Sequence, residues 1–319
     1  MIKISPEQRD LLTLCALRVD AKSVDWSLIA RVCQSREALD VVLGGDLPEE
    51  SAVARRNQAR LRRALAFLED ARARVEKECA AAEEAGARLV TVLDPDYPAN
   101  LRLIPNLPPF LFYLGDLAER DARSAAVVGT RKASNDGLQR ASRMAQGLVD
   151  HDVVVVSGLA KGIDTSAHTA TVEMGARTVA VLGTGIAARV YPAQNKDLAR
   201  RIVDTGGALL SQFWPTSPAA TWTFPRRNVV TSGSTMGSIV IEASSTSGAK
   251  MQARIANEHG KRVFLLRSLA TQEPWAAQMI AEGRAVEVAE LNDVLKLMGE
   301  ATRVHQAGQQ RLQLTLAGL

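Results

Sequence analysis

The run Val153-Val154-Val155-Val156, closed by Ser157-Gly158 and followed by Leu159-Ala160-Lys161-Gly162-Ile163-Asp164, leaves this chain the fewest choices. A β-branched run without polar alternation reads as a strand buried on both faces, which parallel sheets covered by helices on both sides require. The spacing that follows predicts a helix over Ile163–Met174 with Asp164 in its first turn. Ser157 to Gly162 is then a loop that delivers backbone N–H groups at a helix N-terminus, a place for an anion.

The same grammar recurs on either side. Ala125-Ala126-Val127-Val128-Gly129-Thr130-Arg131 is a strand closed by glycine and followed by a helix over Asn135–Asp150, and Thr178 to Gly185 repeats the pattern. Strand, glycine and helix units in succession imply right-handed crossovers and one parallel sheet. Gly129, Gly158 and Gly183 then lie at the carboxyl edge of that sheet, where open α/β folds bind ligands.

The rest of the chain divides around this unit. Before it, short helices are expected over Arg9–Val19, Trp26–Cys33 and Arg36–Val42, with Asp25 and Ser35 as N-caps. Leu61, Leu65, Leu68, Val75 and Cys79 predict one long amphipathic helix from Ala52 to Glu84, ended by Gly86. Its many arginines invite a nucleic-acid reading, but they are offset by Glu69, Asp70, Glu76 and Glu78, and the preferred reading is a solvated face. Strands are expected over Leu89–Leu93, Phe110–Asp116, Ala208–Ser211, Ser238–Ile241, Arg262–Leu266 and Ala285–Val288. Helices are expected over Gln194–Asp204, from Phe224, from Lys250, over Pro274–Glu282 and over Leu291–Met298. The division is a small helical N-terminal domain at 1–86, an α/β domain at 87–298 and a tail at 299–319, extended over Arg311–Leu316.

Composition narrows the function. With 46% hydrophobic and 23% charged residues the chain is an ordinary globular mix, and no run is long enough to span a bilayer. A net charge of +4 admits a nucleic-acid partner only through a localised patch. Cys15, Cys33 and Cys79 have no paired spacing, so neither a disulfide nor a zinc site is expected, which suits the cytoplasm. No metal and no cofactor is assigned. Gly183-Thr184-Gly185-Ile186-Ala187-Ala188 fits a dinucleotide fingerprint poorly, because Tyr191-Pro192 interrupts its helix and no acid follows at the right distance.

What remains is a phosphate-binding rim. Arg131, Lys161, Arg226, Arg227 and Lys250 all fall on or beside loops at the carboxyl edge. With them stand Gly129, Thr130, Ser157, Gly158, Gly162, Gly183, Gly185, Asn228, Ser247 and Gly248. Asp164 reads as a first-turn charge, His168 as a satisfied core histidine, and Glu242 either as a general acid or base or as a structural or ribose-binding group. No residue is assigned a catalytic role. Phe213, Trp214, Trp222 and Phe224 cluster beside Arg226 and Arg227, either as a stacking surface for bases or as anchors of a loop.

At these motifs the chain resembles the DNA-processing protein A family, also called Smf. Gly129-Thr130-Arg131 with Gly137 matches one family pattern, and Ser157, Gly158, Ala160, Gly162, Ile163, Asp164, Ala167 and His168 match a second. Val181 to Gly185 with Tyr191, Pro192 and Asn195 matches a third; Phe224, Pro225, Arg227 and Asn228 a fourth; Ile241-Glu242-Ala243 with Ser247-Gly248 a fifth. The resemblance implies an extended Rossmann-like α/β fold, a mostly parallel sheet with helices on both faces. It also implies single-stranded DNA binding in a basic pocket, a homodimer, and loading of a RecA-type recombinase during uptake or repair.

The chain departs from the family pattern in several places. The acid between the second glycine of the third motif and Tyr191 is missing; Gln212 stands for Glu, Val229 for Arg, and Leu266-Arg267-Ser268 for Val-Pro-Gly. The N-terminal region lacks a Gly-Ile-Gly hairpin, and no winged helix is read after Met298. The competing reading is a sensor or hydrolase of a small nucleotide, with one phosphate in the same glycine-rich edge and Glu242 near the ribose.

Overall fold

The computed structural model describes residues 4–299. The expected extended tail over 311–316 lies outside the described residues. Helices α1 (Pro6–Ala16), α2 (Trp26–Val32), α3 (Arg36–Leu43), α4 (Ala52–Ala64) and α5 (Leu68–Glu84) form the N-terminal segment, with a two-stranded hairpin of β1 (Arg18–Val19) and β2 (Lys22–Ser23) after α1. Asp25 and Ser35 cap α2 and α3 as expected, accepting from the N–H groups of Leu28 and Ala38.

Two expectations for this segment are corrected. The first helix begins at Pro6, where Ser5 and Gln8 form a reciprocal capping box, and stops at Ala16 because the chain turns through Asp20 and Ala21 at positive φ. The single helix over 52–84 is two helices separated by a 3₁₀ turn at Leu65–Phe67. The halves bury their apolar residues against different partners, α4 on the hairpin and α5 on α1, which one straight stripe could not do. Gly86, at φ +70, ends α5 as expected.

The sheet is built from β3 (Arg88–Thr91), β4 (Phe110–Gly115), β5 (Ser124–Val128), β6 (Val154–Ser157), β7 (Thr178–Val181), β8 (Ala208–Ser211), β9 (Gly237–Val240), β10 (Arg262–Leu266) and β11 (Val286–Val288). Its nine strands run in the order β11-β10-β9-β5-β6-β7-β8-β4-β3. All neighbours from β11 to β8 pair parallel, while β4 pairs antiparallel with both β8 and β3. The connecting helices are α6 (Asn135–Asp150), α7 (Ile163–Glu173), α8 (Lys196–Asp204), α9 (Thr223–Gly233), α10 (Gly248–Glu258), α11 (Arg267–Gln272) and α12 (Pro274–Ala281). A last helix covers 291–299. α11 and the β1–β2 hairpin are elements the sequence does not announce.

The valine run does what its composition demands. Val154 and Val156 join one buried cluster while Val153 and Val155 join another, so alternate side chains feed cores on opposite faces of the sheet. The first cluster also takes in Leu11, Leu28, Leu61 and Val75, so the N-terminal helices share a core with β4 and β8. Toward the C-terminal end of the sheet Phe264, Leu269, Trp275, Met279 and Val294 are all buried in the second cluster.

Candidate functional site

From β5 the sheet grows through β6 to one side and through β9 to the other, so the carboxyl ends of β5 and β9 flank the point where the winding reverses. Ligands of open α/β sheets sit at such a crevice. Gly129 closes β5, and the two strand ends are tied together by Thr130, whose N–H donates to the Glu242 carbonyl at 2.7 Å. A groove of about 450 Å³ opens there, lined among others by Thr130, Arg131, Lys132, Asn228, Ser247 and Gln252. A smaller hollow adjoins it, where Arg131, Lys161, Gly183, Tyr191 and Phe224 meet.

Two of the amides expected to cradle an anion are already taken. Asp164 folds back from the first turn of α7 and accepts from the N–H groups of Gly158 at 3.1 Å and Ala160 at 3.3 Å. Its carboxylate lies 3.8 Å from the Arg227 guanidinium, and both side chains are sealed from solvent. Burial pushes the Asp164 carboxyl up, against the pull of Arg227 and the loop amides. Glu242 does the same work beside α6, accepting from the Ser134 hydroxyl at 2.6 Å and from the Ser134 N–H at 3.1 Å, while Ser134 caps that helix. Each carboxylate that could have served chemistry therefore holds a loop.

The expected rim is only partly assembled. Arg131 and Lys161 are exposed and share the hollow, with the Arg131 guanidinium 4.8 Å from the Phe224 ring centroid. Arg227 reaches the same hollow but is buried and paired. Arg226, its neighbour in α9, faces a different cleft and stacks 5.6 Å over Trp222. Lys250 turns away, its ammonium 5.9 Å over the Trp275 ring.

Several polar positions are structural in place. The buried Ser157 hydroxyl donates to the Val127 carbonyl at 2.6 Å. Gly162, at φ +77, passes so close to the Thr130 carbonyl that a Cβ would sit 2.4 Å from it. Gly185 donates its N–H to Ser217 and lies against the Trp214 and Pro215 carbonyls. Ser247 caps α10, with Gly248 the first residue of that helix, and the Asn228 amide donates to the Gly248 carbonyl at 3.4 Å. His168 is fully buried with Nδ1 2.8 Å from the Thr178 hydroxyl, and burial pulls its pKa down to about 3.

The aromatic cluster splits. Phe213 and Trp214 are buried, Trp214 against Phe110 and Trp26, so they anchor the loop. Trp222 stays 55% exposed, and Phe224 pairs with Tyr191 at 5.4 Å between centroids. Sequence reasoning took Tyr191 for a helix interruption and passed over Lys132 and Gln252. Gln252 is 1% exposed and lines the groove with its Oε1 unpartnered among the described residues, as is Arg227 Nε. Only the helical register of α10 against α9 could have pointed to it.

Comparison with known proteins gives consistent results. The profile of the family described as DNA recombination-mediator protein A matches residues 88–299. Protein Smf of Synechocystis sp. is 34% identical over 235 residues, covering 72% of this chain and 58% of that protein. DNA processing protein DprA of Streptococcus pneumoniae is 39% identical over 176 residues, covering 55% of this chain and 61% of its own length. The chain thus spans about three fifths of these curated relatives. The X-ray structure of DNA processing protein A from Streptococcus pneumoniae superposes with a TM-score of 0.71 at 30% identity, over 92% of this chain and 98% of that one. A structure of DNA processing protein A from Helicobacter pylori, described for its single-stranded DNA binding mode, shares the fold at TM-score 0.59 and 20% identity, over 67% of this chain and 96% of that one.

Proposed function

This chain belongs to the DNA recombination-mediator protein A family, and from that premise we propose that it binds single-stranded DNA along the carboxyl-edge groove without making or breaking a bond. The observation that carries the reading is the pairing of exposed cations with accessible rings: Arg131 on Phe224, Phe224 on Tyr191, and Lys161 in the same hollow. A single strand bound without sequence preference asks for this mixture, because its phosphates need mobile charge and its bases a stacking face.

The nucleotide-hydrolase reading is less favoured, because Asp164 is engaged by two loop amides and Arg227, and Glu242 by Ser134. On the strand-binding reading the protein works in the cytoplasm as a homodimer and passes its strand to a RecA-type recombinase; the family resemblance carries these roles. Among the described residues, no helix is long and apolar enough to cross a membrane.

The test is a titration of the whole chain with single strand, duplex and mononucleotides across salt. Tight, salt-sensitive binding of single strand alone supports the reading. Preference for a mononucleotide overturns it.

A further inference from the structure

We propose that the N-terminal helical segment completes the strand path. A second cleft, between that segment and the sheet, holds the continuation of the strand that leaves the groove over Trp222. The inference rests on the strand-binding reading above and extends it to residues outside the family profile.

The cleft encloses about 520 Å³ and is walled by β2, the start of α2, α4, Leu107-Pro108 and the first turn of α9. Its cations come from three separate elements: Lys22 from the hairpin, Arg60 from α4 and Arg226 from α9. The one carboxylate on its wall, Asp25, is spent on the Leu28 N–H at 2.9 Å as the cap of α2. The arginines of α4 are held differently: Arg55, like Arg60, meets a neutral oxygen, the Glu50 carbonyl. Arg62 and Arg63 each meet an acid at 2.6 Å, Asp46 and Asp20, whereas Arg60 is held by neutral oxygens, Asn57 Oδ1 at 3.0 Å and the Ser23 carbonyl at 3.4 Å. Among the described residues Arg60 makes no ion pair, and these two oxygens hold it in place.

The two hollows each take a wall residue from α9. Arg227 lines the groove and Arg226, the preceding residue, lines the cleft. Trp222, just before α9, is exposed, with Phe213 at 5.8 Å and the Arg226 guanidinium 5.6 Å from its ring. An exposed ring near two cationic hollows is an arrangement that can carry a strand from one site to the next. Gln212 and Asn106 also line the cleft, the Gln212 amide donating to the Arg226 carbonyl and Asn106 Oδ1 lying 2.8 Å from His259 Nε2.

The test uses the full chain, its Lys22→Ala/Arg60→Ala variant and Lys22→Glu alone, which alters only an exposed side chain. Anisotropy titrations compare oligothymidylates of roughly 6 and roughly 20 nucleotides, one to fill the groove and one to reach the cleft. The expected result is unchanged affinity for the short strand and a several-fold loss for the long one. The log–log salt slope for the long strand should also flatten by about 0.7 per phosphate contact removed. Equal effects at both lengths, or none, overturn the proposal while leaving the groove reading intact. If the parent binds neither strand, both fall. If the variants lose only mononucleotide or inorganic phosphate binding, the cleft is a small-anion site and the strand path is refuted.

Discussion

Asp164 Oδ2 lies 3.8 Å from Arg227 Nη1, an ion pair that locks the glycine loop after β6 onto the first turn of α9. The Gly158 Cα faces this guanidinium so closely that a Cβ there would sit 1.1 Å from Arg227 Nη1. Two residues that sequence reasoning places on a ligand-facing rim are thereby part of the interior.

Breaking that pair should cost stability before it touches binding. Arg227→Ala leaves Asp164 charged and buried without its partner, a change that costs about 3–5 kcal/mol where such pairs have been broken. Urea denaturation of variant and parent checks this; an unchanged midpoint contradicts the assignment.

Arg131→Ala/Lys161→Ala should behave in the opposite way. Both side chains are exposed, so the melting temperature should stay within a degree or two of the parent, about the scatter of surface substitutions. Single-strand affinity should drop for every sequence, with the salt slope flattened by about 0.7 for each phosphate lost. Salt-dependent titration separates the two effects.

Trp222→Ala should weaken single-strand binding by about 1–3 kcal/mol through lost stacking, with the salt slope almost unaltered. The ring is 55% exposed, so the fold should tolerate its loss. A change in slope as large as that of the double cation variant would mean that Trp222 acts by positioning Arg226.

Gly185→Ala tests whether that glycine shapes a loop. Its added methyl would lie 2.1 Å from the Trp214 carbonyl and 2.3 Å from the Pro215 carbonyl, both backbone atoms with no rotamer to retreat to. Overpacking of this kind costs about 1–3 kcal/mol or more. Thermal melting should show the loss, and a variant as stable as the parent would return Gly185 to the ligand.

His168 should make the fold acid-sensitive. Its pKa falls from the ordinary 6.5 to about 3 because burial disfavours the charged ring. Between those values the unfolded chain binds a proton that the folded chain does not. Stability is therefore fully present above about 6.5 and is lost at about 1.4 kcal/mol per pH unit as pH falls toward 3. His168→Gln removes the titrating group, so its stability should fall less steeply than the parent's over that window in denaturation curves taken at successive pH values.

The local grammar of this chain was legible without coordinates. Unbroken runs such as Val153 to Val156 can only be strands with two dry faces, and Gly129, Gly158 and Gly183 close strands at the expected edge, because strand period and turn chemistry depend on residues a few positions apart. Asp25, Ser35 and Gly86 marked helix ends for the same reason. What only the tertiary structure decided is where long side chains point. Arg226 and Arg227 are adjacent in sequence, yet helical geometry turns them about 100° apart, one into a cleft with Arg60 and the other onto Asp164. Lys250 is carried to Trp275 and Glu242 to Ser134 by contacts across elements, and α4 and α5 are split because they pack on different partners. Charge sign is written in the sequence, but whether a charge is solvated, paired or aimed at a ligand depends on neighbours a hundred residues away.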